Sequence, residues 1–406
     1  MGGEVVTGSE QSTGELVFRY ARRFNDELVT GEHMVGSPLG AWLLVALVAP
    51  LATGGTRTRL EQVLGTDADD ACARASALLD RPHRPIASGA AAWSRDEFVL
   101  QRFRLWAETM PPLAQTGPLP TSEQASRWAR DTSLGLIESF PLAIDAETAV
   151  VLATIVATRI EWDQPFNIVS SDELGGPFGG VVRTALKAPR RHRMFIARTD
   201  HTGDVGVHWA SSADGLRVFS VIADAKVPPS AVAHAAHDIA RSMCGRLVSS
   251  SARSLFELPL GVGHAWTIRE ETQIGNAGGN ERFTAVLPAW TARSKHSLAT
   301  NGAALGFDAV GDAVMAACHP DFPYQVTAVQ AALASYSARG FEAAALTGVV
   351  FTGMAAGRPE PTTIRVADIR FNRPYAVVAM TTRSAPADGW NCMPVFSAWV
   401  TQPSDA

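Results

Sequence analysis

The chain is short of charge, of cysteine and of long apolar runs, and each shortage removes a class of protein from consideration. Charged residues make up 18 % of the 406 residues and sum to −5 at neutral pH, with a pI near 6.1. A general nucleic-acid binder presents a strongly basic surface, so this balance argues against one. The four cysteines, Cys72, Cys244, Cys318 and Cys392, lie far apart and form no Cys-x-x-Cys pair. Metal sites gather ligands at short spacings, so no metal is expected, and the thiols are expected to be free and buried. The apolar run at 41–52 contains Pro50 and is too short to cross a bilayer, which makes it a buried helix and leaves no membrane partner.

The start of the chain lacks both the basic residues and the apolar stretch of a secretory signal. Gly2 suggests myristoylation, but Val6 stands where that motif needs Ser or Thr. A cytoplasmic protein is the expectation, with extracellular export by an unrecognised route as the alternative.

Catalytic signatures are missing too. There is no Gly-x-Ser-x-Gly elbow, no His-Glu-x-x-His helix and no phosphate-binding Gly-x-x-x-x-Gly-Lys loop. No enzyme and no cofactor are expected. His234 and His237 can share a helical face, but Val232, Ile239 and Met243 beside them read as an ordinary surface helix. Lys187, Arg190, Arg191, His192 and Arg193 form the densest positive run, which reads as a solvated loop because charge runs usually face water. Trp42, Trp162, Trp266 and Trp290 each have apolar neighbours and read as core.

What is present suits one large core. Hydrophobic residues make up 46 %, and no shift in composition marks a linker, so residues 15–406 read as a single domain after a flexible segment at 1–14. Leu16, Val17, Tyr20, Ala21, Phe24 and Leu28 line one side of a first helix whose other side carries Arg19, Arg22, Arg23 and Asp26. Gly54 and Gly55 read as the end of the next helix, with Thr56 capping a third that contains Leu60, Val63 and Leu64. Residues 150–160 are apolar and β-branched, as expected of a strand buried on both faces. Further strands are predicted at 218–223, 282–287, 364–370, 375–380 and 394–401. Helices early and strands late make the chain α+β.

The most informative stretch is residues 340–354. Phe341, Ala343, Ala345, Thr347, Val349 and Phe351 alternate with a second set that includes Glu342 and Thr352, the period of a strand. Yet three consecutive alanines and Gly340, Gly348 and Gly353 make a poor permanent strand. The segment reads as one able to become a strand.

Gly340, Glu342, Ala343, Ala344 and Ala345, followed by Phe371, Asn372, Arg373, Pro374 and Tyr375, resemble the hinge and post-loop strands of the serpins, a family of suicide protease inhibitors. Ser37, Pro38, Leu39, Gly40 and Ala41 are similar to that family's helix start. Residues 158–166, with Trp162, resemble its tryptophan-containing turn at the upper end of the main sheet, and residues 393–403 its closing strand. The likeness runs from about residue 15 to 403. It implies a mainly helical N-terminal part, a large central mixed sheet, a second sheet and an exposed reactive-centre loop at about 340–362.

The resemblance also implies a mechanism. A serine (or cysteine) endopeptidase attacks the loop and forms an acyl-enzyme. The cut loop then adds to the main sheet, releasing the strain of a metastable fold and distorting the trapped protease. Counting from Gly340 puts the scissile bond at Met354–Ala355, which suits elastase-, chymotrypsin- or subtilisin-like targets, with Arg358 as the alternative residue for trypsin-like ones. The implied chain is a monomer whose partner is that protease. A non-inhibitory serpin-like protein, cleaved as a substrate or serving as a binding module, is the alternative. Three positions depart from the family pattern. Phe341 stands where inhibitory members carry a small residue, so it is expected to overpack the sheet on entry. Ala338 replaces an acidic residue, and the latch of Ser, Asn and His that closes the family's sheet, beside Ser37, maps to Gly40, Thr154 and Gln330.

Overall fold

Helix α1 (Thr13–Leu28) begins where Ser12 accepts the Glu15 amide and buries Leu16, Val17, Tyr20, Ala21 and Phe24, the face its spacing marks. It starts at Thr13, inside the segment expected to be flexible. The short strand β1 (Met34–Gly36) leads to α2 (Pro38–Val48), capped by Ser37 and opened by Pro38; nearly every residue of α2 is apolar and buried. Then follow α3 (Gly54–Leu64) and α4 (Ala68–Asp80). Gly54 and Gly55 open α3 rather than end α2, whose last turn tightens into a 3₁₀ turn at Ala49–Leu51 around Pro50. The computed structural model describes residues 11–244, 251–274, 280–299, 302–321, 328–341, 361–382 and 389–406.

Next come β2 (Ile86–Ser94), α5 (Gln101–Glu108), β3 (Gln115–Pro118) and α6 (Ser122–Thr132), the last begun by a reciprocal Thr121–Gln124 capping box. The chain continues through β4 (Val150–Thr158), β5 (Ile160–Glu161), β6 (Asn167–Ser170), α7 (Gly176–Gly179), β7 (Thr184–Lys187), β8 (Arg193–Thr199), β9 (Gly203–Ser211), β10 (Leu216–Ile222) and α8 (Pro229–Ser242). It ends with β11 (Gly261–Val262), β12 (Trp266–Ile274), β13 (Glu281–Leu287), β14 (Trp290–Ser297), α9 (Gly302–Leu305), α10 (Phe307–Met315), β15 (Val329–Tyr336), β16 (Gly340–Phe341), β17 (Pro361–Arg370), β18 (Tyr375–Thr381) and β19 (Pro394–Val400).

Two six-stranded sheets carry most of the strands. One has the order β1-β19-β18-β10-β9-β8 and is antiparallel throughout. The other has the order β11-β12-β17-β13-β7-β6, with β13 and β17 parallel. A further sheet is divided. β3-β2-β4 forms one part and β14-β15 the other, and among the described residues only the two-residue ladder β5-β16 is paired between them. Helix α2 packs under β4 and β19, and α8 lies on β10 and β18. The fold is α+β, as the order of elements implies.

The division changes one expectation. Strand β4 is only half buried, because Leu152, Ala153 and Thr154 face a cleft instead of a neighbouring strand. Strands β18 and β19, by contrast, are buried at every residue. Trp42, Trp162, Trp266 and Trp290 are all buried in the main core.

Two further corrections concern α8. His237 is buried and its Nε2 lies 2.7 Å from the Ser397 hydroxyl, so this face of the helix meets the sheet rather than water; His234 sits at the edge, 3.0 Å from Asp26. Beyond the helix end, Cys244 forms a disulfide with Cys392, at a Cα separation of 5.6 Å. Only Cys72 and Cys318 are free thiols; burial raises both, Cys318 to about 11. The expectation of four free thiols fails because partners 148 residues apart meet only once α8 and the β18–β19 turn are packed. No helix of the described residues is long and apolar enough to cross a membrane.

Candidate functional site

The divided sheet places most of the sequence-marked residues around one cleft. Its walls are Leu152, Thr154 and Ile155 of β4 and Val329, Gln330 and Ala331 of β15. Gly40, Ala41 and Leu44 of α2 form the floor, and Ala129 of α6 with Ile137 and Phe140 covers the opposite side. The cleft is narrow, with an internal volume of about 50 Å³, and is open to solvent at its mouth. Among the described residues the two strand edges face each other across it without pairing, and unpaired edges are where backbone groups remain open to a further strand.

The latch positions meet at the floor. Ser37 caps α2 by accepting the Gly40 amide (3.0 Å) and donates its hydroxyl to the Val395 carbonyl (2.7 Å). Gln330 grips Ser37 from β15: its Oε1 accepts the Ser37 amide (2.8 Å) and its Nε2 donates to the Ser37 carbonyl (2.9 Å). From β4, the Thr154 hydroxyl donates to the Gly40 carbonyl (2.6 Å). The Ser, Asn and His pattern is therefore replaced by a different solution. Each strand is tied to the helix beneath it, one at Ser37 and one at Gly40, and the cleft lies between the two ties.

At the upper end the cleft is closed by β5 and β16, with Gly340 opposite Glu161 and Phe341 opposite Ile160. Gly340 has to be glycine, since an added Cβ would lie 2.2 Å from the Ile160 carbonyl oxygen. Ser337 turns the chain into this ladder, its amide and its hydroxyl both donating to the Gly340 carbonyl at 3.0 Å. Phe341 is 4 % exposed and meets Trp290 at 6.3 Å and Phe396 at 6.4 Å between ring centres. The overpacking expected of Phe341 does not arise here, because the core is already shaped around its ring. Ala338 packs partly buried against that core. The remaining hinge and loop positions, Glu342, Ala343, Ala344, Ala345, Met354, Ala355 and Arg358, lie outside the described residues.

Trp162 secures this corner. Its indole N–H donates to the Ser337 carbonyl (3.0 Å), its backbone amide to the Arg339 carbonyl (3.0 Å), and the Phe166 amide to the Ala338 carbonyl (2.8 Å). Its ring packs on Tyr336 at 5.1 Å and Phe166 at 6.2 Å.

Behind Phe166 lies a pair that sequence reasoning missed. His192 Nε2 lies 2.8 Å from the Gln164 carbonyl, and His192 Nδ1 lies 3.0 Å from His208 Nε2. The carbonyl can only accept, so His192 carries its proton on Nε2 and His208 donates to its Nδ1. Burial holds both rings neutral, pushing His192 down to about 4 and His208 well below its usual range. His208 sits in the two-sided apolar run of β9, which is the signal that could have found it. The rest of the basic run behaves as expected: Arg190, Arg191 and Arg193 are exposed, and Lys187 pairs with Glu173 at 2.7 Å. Among the described residues no group of three or more His, Cys, Asp or Glu could hold a metal ion.

No family model matches the chain. A rice protein (Oryza sativa subsp. japonica) provisionally described as serpin-Z5 is 30 % identical over 171 residues, 37 % of this chain and 38 % of that protein's length. Solved structures align over nearly all of it. Human thyroxine-binding globulin complexed with thyroxine covers 97 % of this chain with 98 % of its own, at a TM-score of 0.62 and 13 % identity. The thermophilic serpin tengpin in its native state covers 96 % with 93 % of its own, at 0.62 and 14 %. Serpin48 of the insect Tenebrio molitor covers 98 % with 99 % of its own, at 0.61 and 15 %. The fold of this chain is the serpin fold.

Proposed function

We propose that the chain is a serpin-type suicide inhibitor of serine endopeptidases. The observation that carries this reading is the cleft between β4 and β15, two facing strand edges closed at one end by a two-residue ladder that leads directly into residues 342–360. In this mechanism the protease serine attacks the Met354 carbonyl, the amine of Ala355 leaves, and the acylated chain enters the cleft from the Phe341 end. Insertion drags the protease away before water can cleave the ester. Residues 342–354 number thirteen, which as a strand reach about 43 Å at ~3.3 Å per residue. The chain supplies no catalytic group of its own. The unbranched apolar Met354 favours elastase-, chymotrypsin- or subtilisin-like targets, and Arg358 would suit a trypsin-like one.

The seated Phe341 supports this reading, since the first large side chain needs no new space. The Cys244–Cys392 disulfide supports an oxidising compartment for the working protein, the extracellular alternative rather than the cytoplasm. A second reading, a non-inhibitory binding protein, draws on the likeness to thyroxine-binding globulin, a complex with a small ligand. The two part on a denaturing gel after incubation with an elastase-like and a trypsin-like protease. A covalent complex, with Ala355 as the new N-terminus and a rise in melting temperature, is expected. Clean cleavage with neither complex nor stabilisation would overturn inhibition.

A further inference from the structure

Three segments meet at the corner beside Phe341. The turn at 337–340 lies against residues 161–166 through the Arg339 and Ala338 carbonyls, and those residues in turn hold the β7–β8 turn through the Gln164 carbonyl and His192. The β7–β8 turn is well anchored. The Ala188 amide donates to the Ala285 carbonyl (2.9 Å), the His192 amide donates to the Pro189 carbonyl (3.0 Å), and the His192 ring lies 4.7 Å from Phe166. Arg193 then opens β8 opposite Trp209. On this fixed backbone Arg190, Arg191 and Arg193 are exposed, as is Arg339 across the corner, and among the described residues none of the four has an ion pair or a side-chain hydrogen bond. Elsewhere the chain ties its arginines down, as in Arg22–Asp238, Arg57–Asp69 and Arg59–Asp312. Glu161 and Asp163, also exposed, lie between the two groups of arginines. Four positive charges against two negative leave the corner at +2 on a chain whose total is −5.

We propose that this basic rim is the encounter surface for a protease that attacks residues 342–360, and that it favours proteases carrying carboxylates beside their active site; the proposal rests on the inhibitory reading above and defines its partner more closely. Position is the first reason. Residues 342–360 follow directly from Phe341, so a protease working on them is tethered next to the rim. Preorganisation is the second. Guanidinium groups with no existing partner have no ion pair to give up, and an anchored turn has no backbone left to order on docking. Exposed charges of this kind act on the rate of encounter, by tenfold or more when the partner carries the opposite sign. The mixed signs decide what kind of anion fits. A linear polyanion laid across the corner would be repelled by Glu161 and Asp163, whereas a folded surface can set cations opposite those two and carboxylates opposite the arginines.

The test uses the full-length protein and one protease in two charge states, chymotrypsin and chymotrypsin succinylated on its surface lysines, each normalised to its rate on a small uncharged peptide. The second-order rate of loss of the intact loop is measured, counting free cleavage and covalent complex together. At ~0.01 M salt, where the Debye length is about 30 Å, the succinylated form should react about tenfold faster than the unmodified one, and at ~1 M salt, where it is about 3 Å, the difference should vanish. The triple variant Arg190→Gln/Arg191→Gln/Arg339→Gln should lose that advantage with its share of covalent complex unchanged. Arg57→Gln/Arg59→Gln/Arg127→Gln, which removes the same charge from α3 and α6, should keep it. Equal rates for the two forms, a difference that survives high salt, or a rim variant as fast as wild type overturns the encounter surface. Dextran sulfate held at ~0.15 M salt through the same arginines would make the corner a polyanion site instead and also overturns it. Loop loss that shows the expected charge dependence without any covalent complex overturns the inhibitory reading alone, and a loop cut by neither form overturns both.

Discussion

The fully paired sheet β1-β19-β18-β10-β9-β8 and the divided sheet around the cleft are built from similar residues but bear different loads. In the first, every central strand has two partners, and β18 and β19 are buried at each position. In the second, β4 and β15 each keep an edge toward the cleft, and their burial alternates or lapses. Backbone groups on a free edge gain nothing from a missing neighbour, so the divided sheet is held by a few polar ties and one aromatic corner. The difference locates where the described strands are paired on both edges and where two edges face a cleft.

The largest expected effect lies in the paired sheet. Phe219→Ala in β10, where the ring is fully buried against Trp209, should cost about 3–5 kcal/mol in denaturant unfolding. Leu152→Ala on the cleft wall should cost less than half of that, since its side chain is only partly buried; equal costs would erase the distinction between the sheets. Cys392→Ser opens the link between α8 and the β18–β19 turn and should cost about 2–5 kcal/mol, an effect that reducing agent reproduces in wild type and not in the variant.

Acid should weaken the junction between the sheets next. The folded pKa of His192 is depressed, from 6.5 to about 4, so below 6.5 the unfolded chain binds the proton more readily. The stability this ring provides is complete above pH 6.5 and is lost as pH falls toward 4, by about 3 kcal/mol. His192→Gln should flatten that part of the stability-versus-pH curve, and a curve left unchanged would remove the pair from the junction.

Smaller still, Gln330→Ala should cost about 1–3 kcal/mol by leaving the Ser37 amide without its partner. The proposed inhibitor should then show faster insertion, read as a higher yield of covalent complex per loop cut. Arg190→Ala/Arg191→Ala, on exposed side chains, should stay within about 0.5 kcal/mol and marks the lower limit of the comparison.

Much of the fold was legible because it depends on local periodicity. Leu16, Val17, Tyr20 and Phe24 marked a buried helical face, and Phe371 through Tyr375 marked the entry to β18. The candidate site was legible in part. Ser37, Gly40, Thr154, Gln330 and Trp162 do meet around one cleft, but their bonds do not follow the resemblance: Gln330 grips backbone rather than another latch side chain. His192 was hidden in a basic run, and His237 in what looked like a surface helix, because a lone polar residue carries no sign of which neighbour will bury it. The two glycines at 54 and 55 suit a helix end or a helix start equally, and Pro50 had already ended α2.

By itself the sequence determined the buried face of α1 and the strands β4, β18 and β19, since each depends on the pattern of residues close together in the chain. Tertiary structure alone decided that the sheet is open between β4 and β15, that Phe341 already has a place in the core, that Cys244 meets Cys392, and that β17 is held on both edges. Each of these joins parts of the chain that local pattern cannot connect, and whether they pair depends on which edges the packed helices leave free.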